Sequence, residues 1–282
     1  MDQSELKARA QHFLNLHHEG GMLILPNAWD VASAVMFEQI GASAIATTSA
    51  GISFSRGYDD GEEMSREVAL DVVSRITRRV KVPVTADLEA GYGRDPKAVA
   101  ETIRAAMEIG VVGANIEDGT KGDVEDKGKE LFDLELAVAR IKAARAATDK
   151  VGVPFVVNAR IDTFYRIGMS EETIAETIKR GNAYAEAGAR SVFVFPVSDP
   201  ATIRLLVKEV QAPVNLLVIP NSPSLKQLED LGVRRVTFGS ALARAAWSEA
   251  VRLTQAAIED GTADLSRVRF SNADFSKVFG AK

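Results

Sequence analysis

The chain has 282 residues, 46% of them hydrophobic, and its 34 Lys+Arg against 39 Asp+Glu give a net charge of −5. That length suits one large domain or two small ones, and the charge excludes a basic nucleic-acid binder. There is no Cys, and the three His (His12, His17 and His18) all lie near the start, which excludes thiolate sites, disulfides, His-ligated zinc and Ser-His-Asp chemistry in the body of the chain.

Residues 2–20 read as an N-terminal helix without the apolar run of a signal peptide, and no stretch approaches the roughly 18 apolar residues of a membrane span. The expectation is a soluble, cytoplasmic chain with no nucleic-acid or membrane partner. Eight short apolar runs follow: MLILPNAWD from Met22, GASAIATT from Gly41, VPVTADLEAG from Val82, GVVGANIED from Gly110, VPFVVNARID from Val153, GARSVFVFP from Gly188, APVNLLVIPN from Ala212 and GVRRVTFGS from Gly232. Each has the length and Val/Ile/Leu/Phe content of a strand buried on both faces. Helical periodicity occupies 65–80, 95–110, 133–148, 170–188 and 240–260. Ser65, Asp95-Pro96, Ser170 and Asp199-Pro200 mark helix starts, and Gly110, Gly188 and Gly232 mark stops. Eight strand–helix units in sequence predict an α/β (β/α)8 TIM barrel, residues 1–282 forming one domain, with a doubly wound open sheet as the alternative. The tail 262–282 carries Phe270, Phe275 and Phe279, which need a surface, either the barrel's own or a neighbouring subunit's.

In a barrel the chemistry sits at the C-terminal ends of the strands. Those positions hold Asn27 and Asp30, then Ser49–Ser53, Asp87 and Glu89, Asn115, Glu117 and Asp118, and Asn158, Arg160 and Asp162. The last three strands end in Phe195-Pro196, Asn221 and Gly239-Ser240. Neighbouring carboxylates repel unless a cation lies between them, so Asp87, Glu89 and Glu117 form a candidate ligand set for a hard divalent ion, some acting through water. The competing reading makes these acids helix caps or ion-pair partners. Arg160 has the planar fork that grips a substrate carboxylate, or else it pairs with Asp162 or Glu117. The Ser49–Ser53 run offers backbone amides to an anion. The loops 54–64 and 117–132 are long and charged, either lids over the site or plain solvated loops.

The run TSAGIS (48–53), the Asp59-Asp60 loop, ADLEAGYG (86–93), IED (116–118) and NARID (158–162) together resemble the isocitrate lyase / phosphoenolpyruvate mutase superfamily over nearly the whole chain. The resemblance implies an Mg2+-dependent barrel, with Mn2+ as a substitute, that acts on 2-oxo acids or their precursors through an enolate. It implies a homotetramer in which segment 240–282 packs on a neighbouring subunit. Asp87 matches the direct metal ligand, and Glu89 and Glu117 the carboxylates that hold metal-bound waters. Asp60 matches the acidic-loop residue that reaches the metal, with Asp59 as the alternative in a loop one residue shorter. Gly51 and Ile52 match the amides that hold the substrate carboxylate, and Arg160 the arginine near the scissile centre. Ser49 and Asn158 join the expected substrate-binding set, and Lys121 joins Asp60 and Arg160 as expected catalytic groups, with a bound water or Tyr58 as the alternative general acid.

The chain departs from the family in its lid. TKGDVEDKGK (120–129) lacks both the lyase Lys-Lys-Cys-Gly-His run and the mutase Lys-Thr-Asn-Ser type run, Pro196-Val197 supplies neither Glu nor His, and VIPNSPS (218–224) replaces Asn-x-Thr-Glu. The expected function is an Mg2+-dependent C–C lyase or decarboxylase acting on a small 2-oxo or 2-hydroxy (di)carboxylate. The alternatives are P–C chemistry, as in a phosphonomutase or phosphonopyruvate hydrolase, and a non-catalytic metal-carboxylate-binding barrel.

Overall fold

The computed structural model describes residues 2–120, 130–266 and 268–280, so Lys121 and most of the second long loop lie outside the described residues. The apolar runs form nine strand segments: β1 (Leu23–Leu25), β2 (Asn27–Ala28), β3 (Ile45–Thr47), β4 (Val84–Asp87), β5 (Gly113–Glu117), β6 (Val156–Ile161), β7 (Ser191–Val194), β8 (Val214–Leu217) and β9 (Arg235–Thr237). All pair in parallel in the order β1-β9-β8-β7-β6-β5-β4-β3-β2, a nearly closed TIM barrel rather than an open doubly wound sheet.

The first expected strand is broken at Pro26, and that break is where the barrel closes. β1 pairs with β9, whereas β2 pairs with β3. Pro26 has no N–H to continue a ladder, and its carbonyl accepts from Ala46 N at 3.0 Å. Asn27 then bridges the seam. Its Nδ2 donates to the Thr47 carbonyl at 2.8 Å, and its Oδ1 accepts from Phe238 N at 2.7 Å and Gly239 N at 3.1 Å. One carboxamide thus joins the ends of β3 and β9.

Helices Arg66–Thr77, Pro96–Glu108, Leu134–Asp149, Glu171–Glu186 and Pro200–Glu209 fall where periodicity and caps put them. Ser65, Asp95, Ser170 and Asp199 each accept a first-turn amide, as N-caps do. Gly188 ends its helix at φ 102°, and a Cβ there would lie 2.5 Å from Arg145 Cγ, so both conformation and space require glycine. No helix among the described residues is long and apolar enough to cross a membrane.

The N-terminal helix Gln3–Leu16 closes the opposite end of the barrel. Phe13 reaches under β5, where a Cβ on Gly113 would meet its Cε1 at 2.7 Å. His17 packs edge-on against Phe13 at 4.8 Å and is fully buried, as is Arg235 at the start of β9. Arg235 Nη1 lies 3.4 Å from His17 Nε2, and His17 Nδ1 lies 2.8 Å from the Phe13 carbonyl. A guanidinium only donates, so Nε2 accepts and the proton sits on Nδ1, which donates to Phe13. Burial first, and then the charge of Arg235, lower the His17 pKa from 6.5 to about 3.

The chain divides into two compact units, Met1–Ser240 and Ala241–Lys282. The second unit comprises helices Ala241–Glu259 and Asn272–Gly280, with Phe275 in ring contact with Phe270 at 6.3 Å and Phe279 at 6.2 Å.

The His17 pKa fixes a sign. The unfolded chain protonates this imidazole near pH 6.5 and the folded chain only near pH 3, so stability is lost as pH falls through that window, by at most about 1.4 kcal/mol per pH unit. His17→Gln is less stable than the parent at pH 7.5, and the gap narrows by pH 5.5 in urea titrations at both pH values.

Candidate active site

The strand register builds the site in rows. Asp87, Asn115 and Asn158 are aligned partners across β4, β5 and β6, and two residues further on Glu117 aligns with Arg160. Side chains two apart share a face, so both rows point into the barrel. Asn158 Nδ2 donates to Asn115 Oδ1 at 2.7 Å, and Asn115 Nδ2 donates to Asp87 Oδ1 at 3.1 Å. The other Asp87 oxygen, Oδ2, accepts from Ser49 N at 3.1 Å and Ser49 Oγ at 2.8 Å. Asp87 is therefore held on both sides before any ligand arrives.

A cavity of about 430 Å³ opens above these rows, lined by Ser49, Asp60, Asp87, Glu89, Glu117 and Arg160 among others. Arg160 bonds Glu117 Oε1 through Nη1 at 2.6 Å and Asp162 Oδ1 through Nε at 2.7 Å. Both readings of Arg160 meet here: it is ion-paired, and its Nη2 donates to no described residue while the side chain lines the cavity. Burial works against its charge, but Asp162 and Glu117 more than offset this and hold the guanidinium more firmly protonated than usual. Glu117 is pushed up by burial, which Arg160 opposes. Asp60, at the mouth, is pushed up by partial enclosure and by the charge of Asp87.

Glu89 carries the clearest signature of crowding. It is 3% exposed, and burial together with Asp60, Asp87 and Glu62 raises its pKa to about 8. Its Oε2 accepts from Glu62 N, while Oε1 has no hydrogen-bond partner among the described residues. Glu62 in turn accepts from Tyr92 N at 2.6 Å, which latches the acidic loop onto the turn that bears Glu89. Glu62, Glu89 and Tyr92 all adopt left-handed backbone, with φ of 63°, 51° and 57°. Arg140 holds the turn from beneath, donating to the carbonyls of Gly93 at 2.6 Å, Arg94 at 2.7 Å and Ala90.

Asp87, Glu89 and Glu117, the expected ligands, line one cavity with Asp60 and Arg160. Gly51 and Ile52 depart from expectation. Thr48 caps the helix Ser49–Ser55, so Gly51 N donates to Thr48 Oγ1 at 3.2 Å and Ile52 N to the Thr48 carbonyl at 3.0 Å. Both residues are buried, and the cavity is lined by Ser49 and Ala50 instead. Asn158 is likewise fully buried and reaches Asp87 only through Asn115. Asp30 caps the helix Val31–Gln39 through Ser33 N at 2.7 Å. Asp118 is structural too, accepting from Tyr184 Oη at 2.6 Å, Arg180 Nη1 at 3.1 Å and Asp162 N at 2.8 Å.

Tyr165, Arg166, Phe193 and Phe195 also line the cavity, although strand-end reading offered only Phe195 and gave it no role. The alternation in SVFVF at 191–195 was the available signal, since it puts Phe193 and Phe195 on the same face as each other.

Carboxylates outnumber guanidiniums in the lining, one buried carboxylate oxygen lacks a partner, and all the donors are hard oxygens; this chemistry fits Mg2+ or Mn2+. Among the described residues no three acidic or imidazole side chains are gathered tightly enough to ligate one ion directly.

Residues 13–258 match the family model for phosphoenolpyruvate phosphomutase. The chain is 36% identical over 228 residues to an uncharacterized protein of Mycobacterium tuberculosis, covering 81% of each. It is 29% identical over 263 residues to 2-methylisocitrate lyase of Halalkalibacterium halodurans, covering 91% of this chain and 84% of the relative. A Burkholderia cenocepacia crystal structure described as a lyase/mutase superposes with a TM-score of 0.90 at 35% identity, over 99% of this chain and 98% of the other.

The Asp118 cluster yields a test independent of ligand. Tyr184→Phe removes a donor from a buried carboxylate and lowers stability by about 1–3 kcal/mol in urea unfolding, with secondary structure by circular dichroism unchanged.

Proposed function

The chain belongs to the isocitrate lyase / phosphoenolpyruvate mutase superfamily of lyases and phosphomutases, and from that premise we propose that it cleaves a C–C bond of a small 2-oxo or 2-hydroxy (di)carboxylate, by lysis or decarboxylation, with Mg2+ or Mn2+ and through an enolate. The carrying observation is that Asp60, Asp87, Glu89 and Glu117 line one cavity with Arg160.

A divalent cation bound there would offset the crowded carboxylates and supply an electron sink for the enolate. The chain's own residues do the rest. Asn115 and Ser49 fix the two oxygens of Asp87, so the ligand does not have to be ordered on binding. Arg160 is oriented by Glu117 and Asp162 and presents Nη2 to a substrate oxygen. Asp60 sits at the mouth, where a proton can pass between substrate and solvent. Lys121 completes the proposed catalytic set. Phe193, Phe195 and Leu217 exclude water from one side of the cavity.

P–C bond chemistry is the second reading, favoured by the family model that matches, which is that of a phosphomutase. We assign the segment 240–282 to an intersubunit contact in a homo-oligomer of cytoplasmic type, a tetramer by resemblance. The exposure of Val251, Ile258, Leu265 and Phe270 supports that assignment.

Incubation with oxaloacetate, alkylated malates and phosphonopyruvate, scored for pyruvate and phosphate with and without EDTA, separates the readings. The expected result is metal-dependent pyruvate release from a C–C substrate, reduced about 100-fold or more in Asp87→Ala. Undiminished turnover in EDTA or in Asp87→Ala would falsify the assignment, and phosphate release from phosphonopyruvate alone would promote the second reading.

A further inference from the structure

The cavity has a second cationic end. Arg160 and Arg166 are the only basic side chains among its described lining residues, and they differ in how far their charge is already used. Arg160 is buried between Glu117 at 2.6 Å and Asp162 at 2.7 Å. Among the described residues the one carboxylate that pairs with Arg166 is Glu130, at 4.0 Å, with the two side chains 32% and 56% exposed, a pairing too loose and too solvated to hold the guanidinium.

The local fold carries Arg166 to this place. One turn of helix, Thr163–Arg166, follows β6 and puts Tyr165 and Arg166 on the rim beyond Arg160. The guanidinium passes over Gly119, where a Cβ would lie 3.2 Å from Arg166 Nε and 2.6 Å from Asp162 Oδ2. A side chain at 119 would force Asp162 to shift and would crowd the guanidinium. Its carbon Cζ lies 5.4 Å from the Tyr165 ring, that ring lies 5.1 Å from Phe195, and Phe195 lies 5.0 Å from Arg160 Cζ. Two guanidiniums therefore bracket a pair of rings. The cavity has an acidic, Arg160-bearing side, an apolar wall of Phe193, Phe195 and Leu217, and a separate cation at its edge.

We propose that Arg166 binds the second carboxylate of the substrate, so that the enzyme takes dicarboxylates whose intervening carbons, with any apolar substituent, lie along Phe193 and Phe195. This rests on the metal–carboxylate reading above and narrows its substrate class. A carboxylate at the Arg166 end completes a charge-assisted pair that Glu130 does not provide, and the rings between the arginines accept carbon rather than further polar groups.

The full chain with saturating Mg2+ is titrated calorimetrically with oxalate, malate, 2-methylmalate and 2-hydroxybutanoate, the last replacing one malate carboxylate by a methyl group. Wild type binds malate or 2-methylmalate more tightly than 2-hydroxybutanoate. Arg166→Met weakens the favoured dicarboxylate about 10–100-fold and leaves oxalate and 2-hydroxybutanoate unchanged, and Arg166→Lys retains most of the affinity. Arg166 is solvated, so both variants keep the parental melting temperature. If oxalate binds but neither dicarboxylate exceeds 2-hydroxybutanoate, or Arg166→Met weakens all four alike, the Arg166 assignment fails and the metal–carboxylate reading stands. If oxalate itself does not bind, that underlying reading fails and takes this one with it.

Discussion

Parallel register across β4, β5 and β6 sets which carboxylates can meet. Because side chains alternate faces, Asp87, Asn115 and Asn158 share one inward row and Glu117 and Arg160 the next, and a one-residue slip in any strand would turn its polar residues into the apolar layer beneath the helices. The amide chain from Asn158 through Asn115 to Asp87 locks this register chemically, since Asn115 accepts from Asn158 through its oxygen and donates to Asp87 through its nitrogen. Closure at Pro26–Asn27 is the complementary constraint: an open edge between β1 and β2 would let the strand ends spread, and the Asn27 carboxamide holds Thr47 and Phe238 at fixed separation.

A site dense in carboxylates has a cost in the folded state, and the structure shows where it is carried. Three non-glycine residues hold left-handed backbone at the mouth, each worth roughly 1–3 kcal/mol of strain. They persist because Arg140 satisfies three carbonyls of the 90–94 turn while its guanidinium lies 4.3 Å from the Phe132 ring, and because Glu62 bonds both the Glu89 and Tyr92 neighbourhoods. Glu89, with its pKa raised to about 8, is where the crowding is relieved in the ligand-free chain, because that carboxyl keeps its proton at neutral pH.

Much of this was legible in the sequence, for physical reasons that can be named. Buried parallel strands are continuous apolar runs, and Pro-, Gly- and Asp-marked boundaries set the eight-unit rhythm. Acids that interrupt such runs at their ends, Asp87 and Glu117, could only face the barrel mouth. What stayed hidden depends on side chains far apart in sequence. Gly51 and Ile52 look free until Thr48 is seen to cap their helix. Asp118 looks like its neighbour Glu117 until Arg180 and Tyr184, more than sixty residues on, are found beneath it. Arg166 carries no motif at all, because its role comes from a one-turn helix and from the space that Gly119 leaves.

The two ends of the barrel belong to one electrostatic problem. Arg235 is fully buried at the floor, where burial lowers its pKa to about 9, and Asp87 near the mouth opposes that shift. Its Nε and Nη2, like both amide atoms of the neighbouring Asn215, have no hydrogen-bond partner among the described residues; Nη1 donates to His17, and the charge that favours the guanidinium is that of Asp87. Coulomb attraction in a low-dielectric interior reaches across such distances, and a solitary buried cation is tolerated only where fixed anions face it. Neutral His17 fits this arrangement, because a second positive charge beside Arg235 would oppose the one that the carboxylates favour. The floor thus bears on the site without touching it. With Asp87 at the mouth, the barrel favours the charge of an arginine buried at its base.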